Sequence, residues 1–375
     1  MTDISEYIDN NITIKLIENA IERNNKKTNR GYLGMSEIGH ECWRYLWYNF
    51  RKVSADQISA SGLMAIEDGF RQEELTTNRL RMVHGIELKT KDENESQIGF
   101  KYLGGHFSGH CDGIISGIVE APKTTHIWEH KSVNEKKFKE LNSLILDIGE
   151  KNALAAWDEV YYAQAQIYML ASNLDRHYLT VSTPGGRALT SCRTEIKRKI
   201  GESLIEKAHV IITSEKPPEK LNKNREYYIC RMCRKKSICH DNEVPDVNCK
   251  TCAFAEPILD GINAEWKCYK KNCNLSGEMK GCDKHLFLNT LVPAKAIAAD
   301  ESGHSPSWIK YDFNGAMFYN HNSDSKKIPG ACLTSAEMRE KVFFDCILND
   351  DKIKVEGLKI KKSEKENEKL IRGIL

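Results

Sequence analysis

The sequence predicts a mixed α/β protein: a sheet flanked by helices, then a small cysteine-rich segment and a C-terminal α+β extension. Three observations carry this. Apolar residues recur at helical spacing up to about residue 84 and switch to short β-type runs near residue 99. Helical and strand patterns then alternate, the order expected of a sheet covered by helices. Beyond residue 229 cysteines crowd together. At 375 residues the chain exceeds the size at which one core stops growing, roughly 250–300 residues. Three segments are expected: 1–245, 246–292 and 293–375.

The elements follow in order. Residues 4–24 carry Ile4, Tyr7, Ile8, Ile12, Leu16, Ile17 and Ile21 on an amphipathic helix. A second helix starts at Ser36 and runs through the aromatic-rich SEIGHECWRYLWYNFRK. A third covers 59–84. GFKYLGGHFSGHCDGIISGIVE and THIWEHKSV are β-rich, interrupted by Gly and Pro, and read as antiparallel strands. A long helix is expected over 152–172, strands over HYLTVST and 188–196, and a helix over 194–213; SEKPPEK ends the domain. In the tail, SWIKYDFNGAMFYN is a hairpin with an Asn-Gly turn, and KIKKSEKENEKLIR is a solvated helix or tail.

Composition is that of an ordinary globular protein, 40% apolar and 29% charged. No apolar run approaches the roughly 18–20 residues a membrane helix needs, and the N-terminus lacks the basic-then-apolar pattern of a secretory signal. A cytoplasmic location is expected. The formal net charge of +2 leaves any basic surface local. Thirteen cysteines in a reducing compartment point away from disulfides and toward metal. Cys111, Cys192, Cys332 and Cys346 are isolated and read as small buried hydrophobes.

The chemistry-bearing constellation starts at SGHCDGIISG and HIWEHKSV. Folding the two strands about EAPK sets Asp112 nearly opposite Glu129, and Glu129 and Lys131 lie on one face of their strand. Two carboxylates and an ammonium at one sheet edge suit Mg²⁺ or Mn²⁺ and phosphate chemistry. Glu-x-Lys alone is common here, recurring from Glu87, Glu135, Glu195, Glu265 and Glu278. Context singles out Glu129. Upstream, Glu73 lies four residues after Gly69 on a helix and offers a third carboxylate. Downstream, Gln164 and Tyr168 share a helix face and offer an amide and a phenol to a DNA phosphate or base edge; taken alone, Tyr168 reads as core packing.

The order Gly-x-x-x-Glu, Gly-x-x-Asp, Glu-x-Lys, Gln-x-x-x-Tyr resembles the PD-(D/E)XK nuclease superfamily. Its RecB-like exonuclease branch, with AddB, the CRISPR-associated enzymes and the phage exonucleases, is the closer match. The resemblance covers residues 30–240 and implies a restriction-endonuclease-like sheet. It implies metal ligands Glu73, Asp112 and Glu129, a catalytic Lys131, and a supporting helix with Gln164 and Tyr168. Two departures stand out. Cys111 replaces the proline before the Asp, and Glu73 stands where CRISPR-associated relatives usually have His. The implied activity is a Mg²⁺- or Mn²⁺-dependent DNA exonuclease in recombination, repair or phage DNA processing. The residues leave two rivals, a non-catalytic DNA-binding module and an electron-transfer iron–sulfur protein. The resemblance also raises recombination, phage or CRISPR partner proteins and a ring-forming homo-oligomer, on which the residues are silent.

In YYICRMCRKKSICH, Cys230, Cys233 and Cys239 are three soft ligands. His240 adjoins Cys239, and adjacent side chains diverge too far to share one tetrahedral metal. The resemblance implies Cys42 as the fourth ligand and a [4Fe–4S] cluster, with four-thiolate zinc as the alternative. A second group, Cys249, Cys252, Cys268, Cys273, Cys282 and His285, suits a structural zinc. Cys249 and Cys252 supply two ligands and Cys268, Cys282 or His285 the rest, with Cys273 spare. This segment is short and poor in apolar residues, so a metal is expected to hold it. Arg44, Trp47 and Tyr48 are open to two readings, a phosphate contact and stacking platform for single-stranded DNA or core packing.

Overall fold

The computed structural model describes residues 11–25, 30–277, 279–300, 305–326, 328 and 330–339. Residues 4–10 of the helix expected over 4–24, the charged tail and Cys346 lie outside these. In chain order the elements begin α1 (Ile12–Asn24), β1 (Leu33–Gly34), α2 (Trp43–Arg51), α3 (Ala60–Arg81), β2 (Glu87–Lys89), β3 (Gly99–Tyr102), β4 (Phe107–His110), β5 (Gly113–Ser116) and β6 (His126–Ser132). They continue with α4 (Glu135–Ile148), α5 (Glu150–Trp157), α6 (Glu159–Ser172), β7 (Arg176–Ser182), β8 (Leu189–Glu195), α7 (Arg198–Thr213), α8 (Tyr228–Arg231) and α9 (Lys236–His240). The last are β9 (Ala255–Pro257), β10 (Trp266–Cys268), β11 (Cys273–Leu275), β12 (Lys295–Ala299), β13 (Trp308–Phe313), β14 (Ala316–His321), β15 (Cys332–Thr334) and α10 (Ser335–Arg339). None of the described helices is long and apolar enough to cross a membrane.

The chain divides into two compact units, one of residues 1–40 and 57–209, the other of 41–56 and 210–375. This differs from the expected boundary at 245. Residues 41–56, which carry Cys42, group with the cysteine-rich half.

In the first unit a five-stranded sheet runs β2-β5-β6-β7-β8. All its pairings are antiparallel except β6 with β7. That parallel pair needs a crossover, supplied by α4, α5 and α6. Strand β6 is the middle strand, so its residues are buried on both faces. On one face Trp128, Tyr178, Ile115 and Ile118 pack with Leu80 of α3. On the other, Leu179, Val181 and Cys192 pack with Leu141, Leu154, Trp157, Ala165 and Met169. A three-stranded sheet, β1-β4-β3, sits beside this core. There Gly109 is obligatory by proximity: a Cβ would stand 2.7 Å from Met35 Cβ and 2.8 Å from Tyr168 Oη.

Three expectations change. The helix from Ser36 is a 3₁₀ turn at Met35–Glu37, and the α-helix begins at Trp43. Gly39 breaks the run; it lies so close to α6 that a Cβ would meet Val160 Cα at 2.6 Å. Helix 152–172 is two helices, because the Asp158 carboxylate turns back to accept from Val160 N and Tyr161 N, both at 3.1 Å. Helix α4 was not foreseen, although Phe138, Leu141 and Ile145 give it an apolar face on the core.

In the second unit β9, β10 and β11 form a small antiparallel sheet and β12–β15 a four-stranded one. The expected hairpin is β13–β14, turning at Asn314 (φ 53°) and Gly315 (φ 91°). The cysteine-rich segment is less poor in core than composition implied. Trp266 is fully buried and stacks on Phe50 of α2, ring centres 5.4 Å apart. Arg51 and Lys250 lie over the same indole at 5.1 and 5.5 Å. Trp47 and Tyr48 are buried too. Trp47 Nε1 donates to Ser214 O at 2.9 Å and Arg44 to Pro218 O at 2.8 Å. Trp47 and Tyr48 therefore pack the core and are not themselves exposed for stacking.

Gly109→Ala is expected to cost about 1–3 kcal/mol, the usual range for an intruding methyl in a packed site. Urea unfolding of the two proteins measures it, and unchanged stability would show that the approach of β4 to Tyr168 is not rigid.

Candidate active site

Strand β6 places Glu129 and Lys131 on the face covered by α6, with Trp128 and His130 on the opposite face. The β5–β6 register pairs Gly113 with Trp128, which brings Asp112 level with Glu129. Asp112 N donates to Glu129 Oε1 at 3.3 Å, and His130 N donates to Asp112 Oδ2 at 2.8 Å. Glu129 is 2% exposed, and its Oε2 accepts from Lys131 Nζ at 2.7 Å and from Gln164 Nε2 at 3.0 Å. Lys131 also lies over the Tyr161 ring, 5.5 Å from its centre. Glu73, half-buried on α3, completes the group through charge alone: it feels both Asp112 and Lys131.

The electrostatics are those of crowded acids. Burial, then the Asp112 charge, lifts Glu73 to about 7 against the pull of Lys131. Burial raises Asp112 as well, opposed by Lys131 and the His130 N–H. For Glu129, burial and Asp112 push upward while Lys131 pulls down. Lys131 stays a cation, held well above its ordinary range by Glu129 and Asp112 despite burial.

Gln164 and Tyr168 do not reach outward as expected. Both are buried. The Gln164 amide holds Glu129, and Tyr168 Oη donates to His110 O at 2.9 Å, bracing the strand before Asp112. Sequence reasoning missed what lies behind the site. His130 Nδ1 pairs with Thr180 Oγ1 at 3.0 Å, and its Nε2 with Ser182 Oγ at 3.1 Å and Thr76 Oγ1 at 3.5 Å. Burial, then Lys131, lowers this imidazole to about 4, so it is neutral. The available signal was a histidine between two catalytic candidates, with hydroxyls alternating along a strand otherwise apolar.

Both cysteine groups fall in the second unit, and none of the twelve described cysteines is in a disulfide. Cys42 caps α2, its Sγ accepting from Tyr45 N at 3.4 Å. Cys230, Cys233 and Cys239 each lie within electrostatic reach of Cys42. In the second group Cys249 lies within electrostatic reach of Cys282, Cys268 and Cys273, and Cys252 of Cys249 and Cys268. His285 is buried, with Nε2 3.1 Å from Asn248 O and 3.4 Å from Thr251 Oγ1; its Nδ1 has no hydrogen-bond partner among the described residues. Among the described residues no three His, Cys, Asp or Glu side chains are arranged to hold a metal ion as they stand.

No family model and no curated protein sequence matches the chain. Among solved structures, the alkaline exonuclease LHK-Exo from Laribacter hongkongensis, in complex with dAMP, is similar at 12% identity over 49% of this chain and 88% of that one, TM-score 0.35. SSO0001 is similar at 15% identity over 61% and 96%, TM-score 0.34. A phage-related exonuclease from Haemophilus somnus 129PT gives 15% identity over 39% and 68%, TM-score 0.28. Likenesses this distant transfer neither a residue nor an activity to this chain.

Proposed function

We propose that the protein is a divalent-metal-dependent DNA exonuclease. The observation that carries this is the Asp112–Glu129–Lys131 group at adjacent strand positions, with its acids mutually repelling and its lysine charged. The donor types are those a hard cation takes, three carboxyls from α3, the β4–β5 link and β6, whose raised pKa values reflect their crowding. Glu73, Asp112 and Glu129 would hold Mg²⁺ or Mn²⁺, which when bound polarises a phosphoryl oxygen.

The chain's own residues do the rest. Gln164 and the Asp112 N–H fix the Glu129 carboxylate, so its oxygens are oriented before substrate arrives. Lys131, a charged ammonium beside that carboxylate, stabilises charge gathering on the phosphate and orients the attacking water. The His130 N–H holds the Asp112 carboxylate, and Tyr168 anchors His110 two residues before it. Action at DNA ends, on single strands and in recombination, repair or phage DNA processing is part of the proposal and rests on the motif order. In the second unit, Cys230, Cys233 and Cys239 lie within electrostatic reach of Cys42, and these four thiols would hold the [4Fe–4S] cluster that the motif order implies.

End-labelled single- and double-stranded DNA with Mg²⁺ tests the activity. Lys131→Ala is expected to slow cleavage roughly 10²–10⁴-fold, the usual range for a positioned acid–base group. Equal rates in the two proteins would remove Lys131 from the site. For the cluster, anaerobically purified protein is expected to be brown and bleached by dithionite. A colourless, iron-free sample with four reactive thiols refutes it.

Stability reports on the acids independently. A carboxyl whose pKa is raised on folding binds its proton more tightly in the folded state, so stability falls as pH climbs through the window between the two values. For Glu73 that window runs from 4.5 to about 7. The Lys131 contribution is constant there, because its raised pKa matters only above its ordinary range. With chelator present, Tm is expected to fall between pH 5 and pH 8, less steeply in Glu73→Gln. Mn²⁺ at pH 8 is expected to raise Tm in the wild type. Parallel pH curves for the two proteins would show that Glu73 is not part of the acidic group.

A further inference from the structure

The second cysteine group is spread over 34 positions of sequence from Cys249 to Cys282, and backbone pairing gathers it. Residues Cys249–Thr251 form a tight turn in which Cys252 N donates to Cys249 O at 3.2 Å. Ala253 N donates to Leu286 O at 2.8 Å and Cys252 bridges to Phe287, so the chain just past Cys282 runs alongside the turn. The stretch 279–281 pairs with this turn: Cys249 N donates to Met279 O at 3.1 Å and Gly281 N to Val247 O at 3.3 Å. Cys282 is thereby delivered beside Cys249. From the other side β9 pairs Ala255 with Cys268, so the end of β10 lies three residues from the turn's second cysteine. Three separate backbone pairings converge on one thiol cluster.

We propose that Cys249, Cys252, Cys268 and Cys282 form a four-thiolate Zn²⁺ site that ties the turn 249–252 to the β10–β11 hairpin and to residues 279–282. Zinc prefers four such ligands in closed structural sites and sets no d-electron geometry of its own. Binding releases the four thiol protons. The side chains are not at ligand positions as they stand; backbone pairing is what brings their segments together. Lys271, in the hairpin turn, lies within electrostatic reach of Cys282 and Cys268. Its ammonium offsets part of the two negative charges that four thiolates leave around Zn²⁺.

Two other donors compete. Cys273 pairs with Cys268 across the hairpin, but it lies on β11, the strand separated by β10 from β9 and the 249–252 turn. His285 presents a buried Nδ1, while its Nε2 is taken by the Asn248 carbonyl that starts the turn. We assign His285 to bracing that turn from behind.

The full chain purified from zinc-supplemented medium tests this by elemental analysis, with circular dichroism as a check on folding. Cys268→Ser and Cys282→Ser are each expected to lose one zinc equivalent relative to wild type, while Cys273→Ser and His285→Ala keep it. Because a variant lacking a ligand can unfold, the wild type is also alkylated with N-ethylmaleimide before and after chelation and mapped by mass spectrometry. Cys249, Cys252, Cys268 and Cys282 are expected to become reactive together on chelation, and Cys273 to react throughout. Zinc loss in folded His285→Ala or Cys273→Ser overturns the ligand set. Equal reactivity of the four thiols before and after chelation overturns the site. Neither readout depends on nuclease activity.

Discussion

Burial of the Glu129 carboxylate is the constraint on which the first unit depends. A charged oxygen pair with 2% exposure on the middle strand of a sheet costs several kcal/mol in lost hydration unless its lone pairs are answered. Lys131 answers from the same strand, Gln164 from α6 and the Asp112 N–H from the preceding loop. Three elements are thus drawn to one point by one group. The parallel β6–β7 pairing serves the same end, since it forces the crossover that carries α6 over Glu129. The cost is a crowd of acids with one lysine among them, which is where divalent-cation chemistry becomes the natural reading of the site.

The opposite face of β6 solves a different problem. His130 lies between Glu129 and Lys131 in sequence yet turns away from both. It is neutral, and it joins Thr180, Ser182 and Thr76 in a buried polar set. Such a set specifies register: a slip of β7 by one residue would strand the imidazole among Leu179 and Val181. The strand's polar residues therefore divide by parity into those that form the acidic cluster and those that hold the strand still.

In the second unit, cations and aromatics take over part of the role that composition assigned to metal. Phe50, Trp266, Arg51 and Lys250 form a buried stack joining α2 to the cysteine-rich segment. Burial, with Lys52 and Arg51 nearby, brings the Lys250 amine down to about 7. Its stem and the rings account for the packing that β9, β10 and β11, of three residues each, are too short to supply.

Some of this was legible from residue order alone. Period-two spacing on either side of EAPK determined that Asp112 and Glu129 would be level and that Lys131 would share the Glu129 face, because hairpin register and strand parity are local rules. The Asn-Gly turn of the last hairpin was local in the same way, since only φ > 0 conformers close it. Contacts between distant segments were not legible. Gln164 holding Glu129, Asp158 splitting a helix that periodicity ran together, and Cys42 joining the C-terminal half each depend on which surfaces meet. Amide, carboxylate and thiol have no intrinsic direction in sequence; tertiary structure decided what each one faces, and with it whether a buried polar group binds a ligand or holds up its neighbour.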